Sequence, residues 1–119
     1  HLGARELIIG GGCYWLSTKR LQAVRETIAD QLPEFQGIVH EDSFRSYWGA
    51  VQGAQHQRLP KDFKPLYNEE PLIANKQFYT FRSLDPQLIL RDDLMDVVME
   101  FYLALKPLND FLHQAFEGD

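Results

Sequence analysis

Cysteine, positive charge and long apolar runs are all scarce in this chain, and each shortage excludes a class of protein. A single cysteine among 119 residues rules out an internal disulfide and a zinc site built on cysteines. No apolar run approaches the roughly 20 residues of a membrane-spanning helix. The net charge of −5 argues against a protein that coats nucleic acid, which needs clustered lysine and arginine. We therefore expect a cytoplasmic protein of a reducing compartment, with no membrane or nucleic-acid partner.

What remains is the composition of a globular protein, because 45% of the residues are hydrophobic and 24% are charged. The length allows one domain, residues 1–119. The chain begins with His1 rather than methionine, so we expect it to be the C-terminal part of a longer protein. Any targeting signal of the natural N-terminus would then be absent from this sequence.

Two stretches predict β-strands. Residues 6–15 carry an aliphatic run that ends in three glycines and aromatic residues, and residues 77–83 alternate between two faces. In the second stretch Phe78, Thr80 and Arg82 should point one way, and Tyr79, Phe81 and Ser83 the other. His1-Leu2 reads as the end of an earlier strand that forms a hairpin with residues 6–15. Two strands are too few for a stable sheet, so we expect the sheet to be incomplete.

Apolar spacing and capping residues predict the helices. Ser17 can cap a helix from Thr18, with Leu21, Val24, Ile28 and Leu32 on its apolar face. Shorter helices follow at residues 34–39 and 43–48, and Asn68 can cap a turn that ends near Ala74. The last helix should span residues 92–117, where Pro107 should kink or split it. The predicted fold class is α+β: a small antiparallel or mixed sheet packed against helices, with a long C-terminal helix.

A glycine run followed by Cys13, Tyr14 and Trp15 invites a catalytic interpretation. The string resembles the Gly-Cys-Phe-Trp motif of peptide methionine sulfoxide reductase A, and a thiol near a helix N-terminus can be activated. That family has a carboxylate five residues after the cysteine, where this chain has Thr18. The alternative is a small side chain that fills the core, which we favour. The glycines then indicate a close approach of the backbone.

Read from end to end, the sequence resembles domain-of-unknown-function family 2461, a group of conserved hypothetical proteins. The order and spacing of several pieces carry this resemblance. They are His1-Leu2, Gly10 to Gly12, Leu21 with Arg25 and Ile28, Phe44, Gly49, residues 58–63, Pro71, residues 76–78, residues 105–108 and Phe111-Leu112. The family usually has glycine in place of Asp62 and histidine in place of Glu70. The resemblance implies that this chain is the C-terminal half of a protein about twice as long, and it implies no activity.

Five cations between residues 58 and 82 reverse the overall charge locally. Three acids accompany them in this stretch of an otherwise acidic chain. The set could be an ordinary solvated loop, or it could form a pocket in which guanidinium groups grip a phosphate or carboxylate. Our candidate anion-binding residues are Arg58, Lys61, Lys76 and Arg82, with Lys64 nearby.

The four histidines lack metal-ligand spacing, so we expect no metal site and no cofactor. The leading hypothesis is a binding or interaction module, with an anionic ligand as the candidate. The alternative is an enzyme that acts on a phosphate-bearing or other anionic substrate and shares catalytic groups with the missing N-terminal half. A distant third hypothesis is thiol redox chemistry at Cys13. The expected partner is the missing half, or a second copy of the chain paired through the edge of the strand at residues 7–15.

Overall fold

The first strand in the described part of the chain pairs with a strand from the second half of the sequence. In the computed structural model, which describes residues 7–116 apart from the side chain of Ile89, β1 (Leu7–Cys13) pairs antiparallel with β2 (Phe78–Leu84). The register places Leu7 opposite Leu84 and Cys13 opposite Phe78. The expected hairpin with His1-Leu2 lies outside the described residues. Within them, the sheet has these two strands alone.

Helices fill most of the remaining chain, and the α+β class is confirmed. They are α1 (Thr18–Asp30), α2 (Leu32–Val39), α3 (Asp42–Trp48) and α4 (Leu94–Phe116). Three 3-10 helices, Lys61–Leu66, Pro71–Ala74 and Pro86–Leu90, lie in the connections. No helix in the described part is both long enough and apolar enough to cross a membrane.

Local sequence signals explain where these helices begin and end. The Ser17 side chain accepts a hydrogen bond from the Arg20 N–H at 3.1 Å, which confirms the predicted cap of α1. Gly49 ends α3 at a φ of 83°, a conformation that favours glycine. Asn68 was the wrong choice of cap for the turn before β2, because the Glu70 carboxylate accepts from the Leu72 N–H instead. Glu70 is two residues closer to Leu72 in the sequence than Asn68 is, so its side chain reaches the Leu72 N–H over a shorter stretch of chain.

The long helix α4 packs against α1, α2, α3 and β1, and a Phe35–Phe111 ring contact at 5.3 Å joins it to α2. Its buried residues all lie from the middle of the helix onward. Those buried residues are Leu105, Leu108, Phe111, Leu112 and Ala115. Pro107 was expected to kink or split the helix, and it does not split it, because α4 is one continuous element in which Pro107 is exposed. Nearer the start of α4, Leu94, Val98 and Phe101 are only half-buried.

The glycine run in β1 allows the strand to lie directly on its neighbours. A Cβ added at Gly11 would come within 2.4 Å of the Leu105 side chain on α4. At Gly12, where φ is 94°, it would come within 2.4 Å of the Phe78 carbonyl oxygen. The glycines therefore mark a close backbone approach, as predicted, rather than a phosphate-binding turn.

Candidate functional site

A short extended segment forms one wall of a cleft that is lined by basic side chains. Residues 52–56 run antiparallel to the chain that leads into β2. Backbone hydrogen bonds hold the two together, from His56 N–H to the Ala74 carbonyl at 2.8 Å and from Lys76 N–H to the Ala54 carbonyl at 2.7 Å. Gly53 permits this contact, because a Cβ there would lie 2.2 Å from the Gln77 carbonyl oxygen. His56 and Lys76 are thereby fixed on adjacent strands of backbone.

The opposite wall is α1, which contributes a buried arginine. Arg25 is only 3% exposed. Its Nε donates to the Ile73 carbonyl at 2.8 Å, and its Nη2 lies 3.3 Å and 3.2 Å from the carbonyl oxygens of Ala74 and Asn75. These bonds fasten α1 to the segment before β2. The guanidinium is consequently held in one orientation by the main chain.

Among the described residues, no carboxylate forms an ion pair with Arg25. Burial lowers the pKa of the Arg25 guanidinium from its usual value, although an arginine remains charged under all ordinary conditions. A buried cation is normally paired with an acid, because removing a charge from water is costly. Arg25 has main-chain carbonyls instead, and these supply only partial negative charge.

His56 is coupled directly to this arginine. Its Nδ1 lies 2.6 Å from Arg25 Nη2, and because the guanidinium can only donate, Nδ1 must accept. The proton of the neutral ring is then on Nε2. Burial lowers the pKa of His56, and the charges of Arg25 and Lys76 lower it further. A neutral imidazole with a donor at Nε2 is the state that this geometry favours.

Between the two walls lies a cleft of about 510 Å³. Four of the residues that line this cleft carry basic side chains. No aspartate or glutamate is among the lining residues. We name it the basic cleft and define it by Arg25, His56, Arg58 and Lys76. The remaining lining residues are Tyr14, Trp15, Leu16, Thr18, Leu21, Gln22, Pro60 and Gln77. In a chain of net charge −5, this is a pronounced local reversal of charge.

The structure separates the cations that the sequence grouped together. Arg58 and Lys76 line the basic cleft, and their side chains form no hydrogen bond or ion pair within residues 7–116. Lys61 is exposed at the start of a 3-10 helix and does not line the cleft. Lys64 lines a neighbouring depression of about 640 Å³, which shares Arg58 and His56 with the cleft. Arg82 lies elsewhere, on β2, where its Nε donates to the Tyr47 carbonyl at 2.8 Å.

Two members of the cleft, Arg25 and His56, were not among the sequence candidates. Arg25 did leave a signal, because it lies four residues after Leu21 and three before Ile28, on the face that packs against the core. An arginine on an apolar helix face predicts a buried polar contact. His56 left no comparable signal, because its partner Arg25 lies 31 residues away in the sequence.

Cys13 is placed at the end of β1 and is half-buried rather than fully buried as predicted. Burial raises the pKa of its thiol, and the charge of Arg20 offsets this only in part. A raised thiol pKa reduces the thiolate fraction, which is the reactive form. The geometry therefore does not favour thiol redox chemistry.

The acidic side chains of the described residues do not form a metal site. Within residues 7–116 there is no cluster of three or more histidine, cysteine or acidic side chains that could hold a metal ion. Glu70, where the family usually has histidine, is 4% exposed and lies 3.4 Å from Gln36 Nε2 and 4.0 Å from His40 Nε2. It caps the Pro71–Ala74 turn and does not line the basic cleft.

Fold and cleft together define a small α+β domain with a cationic depression that contains a buried arginine. Over residues 1–111 the sequence matches the family described as "Conserved hypothetical protein (DUF2461)", and the chain belongs to this family. No curated protein and no solved structure matches the chain. The family description carries no activity, so the function must be argued from the cleft.

Proposed function

We propose that this domain binds a small anionic ligand, bearing a phosphate or a carboxylate, in the basic cleft. One observation carries the proposal: Arg25, His56, Arg58 and Lys76 line a single cleft that has no acidic residue in its wall. Four like charges or potential charges in one place repel one another. An anion at their centre would relieve that repulsion and satisfy the donors.

Arg25 supports the proposal because it has no acidic partner within residues 7–116. Its guanidinium is already oriented by main-chain carbonyls, so a ligand would not have to immobilise a flexible side chain. Arg58 and Lys76 contribute exposed charges to the lining of the cleft. One cation of the cleft is thus held in place by the main chain, and two are exposed. This arrangement suits a ligand that enters from solvent.

The test is titration calorimetry of the chain with inorganic phosphate and with pyrophosphate. We expect the double variant Arg58→Ala/Lys76→Ala to bind at least about tenfold more weakly, because a hydrogen bond to a charged group contributes about 1.5–3 kcal/mol. Lys61→Ala is the matched control, since it also removes an exposed cation of the same loop region, but outside the cleft. Its affinity should remain within about twofold of the unmodified chain.

Two results would contradict this assignment. One is an equal loss of affinity in Lys61→Ala and in the double variant, which would indicate general charge attraction. The other is no detectable binding of either anion by the unmodified chain. Circular dichroism of each variant separates a loss of binding from a loss of structure.

An enzyme that acts on the same class of ligand is our second candidate. The observation that favours it is the neutral His56, whose Nε2 proton is available next to Arg25. Phosphate release from a phosphate ester, compared between the chain and His56→Gln, tests this directly. Unchanged release in the variant would remove His56 from any catalytic role.

The edge of β1 gives a further expectation, which stays a prediction. Within the described residues β1 has one neighbouring strand, and a two-stranded sheet is only marginally stable in water. We propose that its other edge pairs with a strand from the upstream half of the protein, or failing that from a second copy. Light scattering of the chain reports the second case as a dimer. The cytoplasmic location also stays a prediction.

A further inference from the structure

Trp15 is exposed to an extent that core packing does not explain. It is 88% exposed, whereas the other tryptophan, Trp48, is 2% exposed and donates its Nε1–H to the Phe101 carbonyl at 2.8 Å. Tryptophan is on average one of the more buried residue types. Trp15 lines the basic cleft, together with Tyr14, which is 53% exposed. Two exposed rings therefore border the same cleft as the cations.

Ring contacts support both of these aromatic side chains. Tyr14 contacts Trp15 edge to face, with ring centroids 5.2 Å apart and an interplanar angle of 81°. On its other side Tyr14 contacts Tyr79 of β2, with centroids 5.1 Å apart. We name Tyr14 and Trp15 the aromatic platform. Its support on β2 orders the rings before a ligand arrives, which reduces the entropy cost of stacking.

We propose that the ligand of the basic cleft is a phosphate ester that carries a planar ring, the chemistry of a free nucleoside monophosphate. This inference rests on the proposed function and adds a second subsite to it. Arg58 and Lys76 would hold the phosphate, and the ring would stack on Trp15. The cleft volume of about 510 Å³ lies in the range of small-molecule sites. The net charge of −5 favours a small free ligand over a nucleic-acid strand.

The N-terminus of α1 adds to the phosphate subsite. Thr18, its first residue, lines the cleft, and the first turn of α1 carries no acidic residue. The Ser17 hydroxyl accepts from one N–H of this helix end, and no acidic side chain of the first turn offsets its partial positive charge. The aromatic platform immediately precedes this turn in sequence. Ring and phosphate subsites are thus joined by a short piece of chain.

The experiment compares ligands that differ only in the ring. Calorimetry measures the affinity of the chain for adenosine 5′-monophosphate and for ribose 5-phosphate, which has the same phosphate and sugar without the base. We expect adenosine monophosphate to bind roughly tenfold more tightly, as base stacking on an aromatic side chain does in other proteins. Phenyl phosphate, set against inorganic phosphate, shows whether any aromatic ring gives the gain or whether a nucleobase is needed.

Variants of the platform assign the gain to Trp15. Trp15→Ala should remove the preference for adenosine monophosphate while leaving the affinity for ribose 5-phosphate within about twofold, and Trp15→Phe should restore most of the preference. Phe81→Ala is the matched control, because Phe81 is also an exposed aromatic residue, 46% exposed, that does not line the cleft. It should retain the full preference. Quenching of the exposed Trp15 emission, with the buried Trp48 as internal reference, provides a second readout.

The outcomes separate this inference from the proposed function. Equal affinities of the unmodified chain for the two sugar phosphates, or a preference that survives in Trp15→Ala, would overturn the aromatic subsite. Loss of ribose 5-phosphate binding in Arg58→Ala/Lys76→Ala would still uphold the anion site in that case. If neither sugar phosphate binds to the unmodified chain, the aromatic subsite is overturned, and the titrations with inorganic phosphate and pyrophosphate decide the proposed function separately.

Discussion

Arg25 and Arg82 each connect two distant segments of the chain, in two different regions of the molecule. Each guanidinium donates to main-chain carbonyls of a distant segment, Arg25 to Ile73 and its neighbours, and Arg82 to Tyr47 and Ser46. Their surroundings differ. Arg25 is buried and adjoins further basic side chains in a cleft, whereas Arg82 is half-buried on the sheet and does not line that cleft. Hydrogen bonds to the backbone are therefore common to an arginine that lines the cleft and to one that lies outside it.

Unfolding should show the largest difference between the two arginines. Arg25→Met is expected to lower the free energy of unfolding by about 3 kcal/mol, because buried carbonyls would lose their donors. Arg82→Met should cost about 1 kcal/mol, since water can replace part of the lost contact. Urea titration followed by circular dichroism measures both values. Equal losses would mean that burial does not distinguish the two positions.

The pH dependence of stability gives a second contrast, through His56. The pKa of His56 is lowered in the folded chain, so between that value and the ordinary one of about 6.5 the unfolded chain binds more protons. Stability linked to His56 is therefore present above this window and is lost as the pH falls through it. Unfolding experiments at several pH values should show this loss, and His56→Gln should reduce it.

The same histidine reports which cations belong to the cleft. Lys76→Ala removes one of the charges that lower the pKa of His56, so that pKa should rise towards its ordinary value. Arg82→Ala should leave it unchanged. Titration of the His56 ring by NMR measures each shift. A rise of the same size in Arg82→Ala would place Arg82 in the electrostatic field of the cleft and erase the contrast.

The smallest expected effect concerns a third arginine, Arg20, near the half-buried Cys13. Because burial raises the thiol pKa, a thiol reagent should label Cys13 slowly at neutral pH. Arg20 lowers that pKa in part, so Arg20→Gln should slow labelling further, by about twofold. The Arg82→Ala variant should label at the rate of the unmodified chain. Fast labelling of the unmodified chain would instead revive the thiol redox alternative.

The sequence predicted those features that depend on neighbouring residues. Ser17 and the spacing of Leu21, Val24 and Ile28 gave α1, and strict alternation gave the buried face of β2, where Phe78 is 0% and Thr80 is 1% exposed. The partner of β1 could not be predicted, since strand pairing across the chain leaves no local pattern. The same reason hid the contact between Arg25 and His56. Charge counting found Arg58 and Lys76 but could not exclude Lys61 or Arg82, because it does not show which way a side chain points.

The pairing of β1 with β2 also determines the order in which the chain can fold. During synthesis β1 emerges first, but its partner β2 lies beyond α1, α2 and α3. Joining strands so far apart in sequence closes a long loop, which costs entropy and slows folding. The helices between them can form early from local contacts, whereas β1 must wait until Leu84 has been made. Its aliphatic segment would be exposed during that interval, so we expect the nascent chain to bind chaperones.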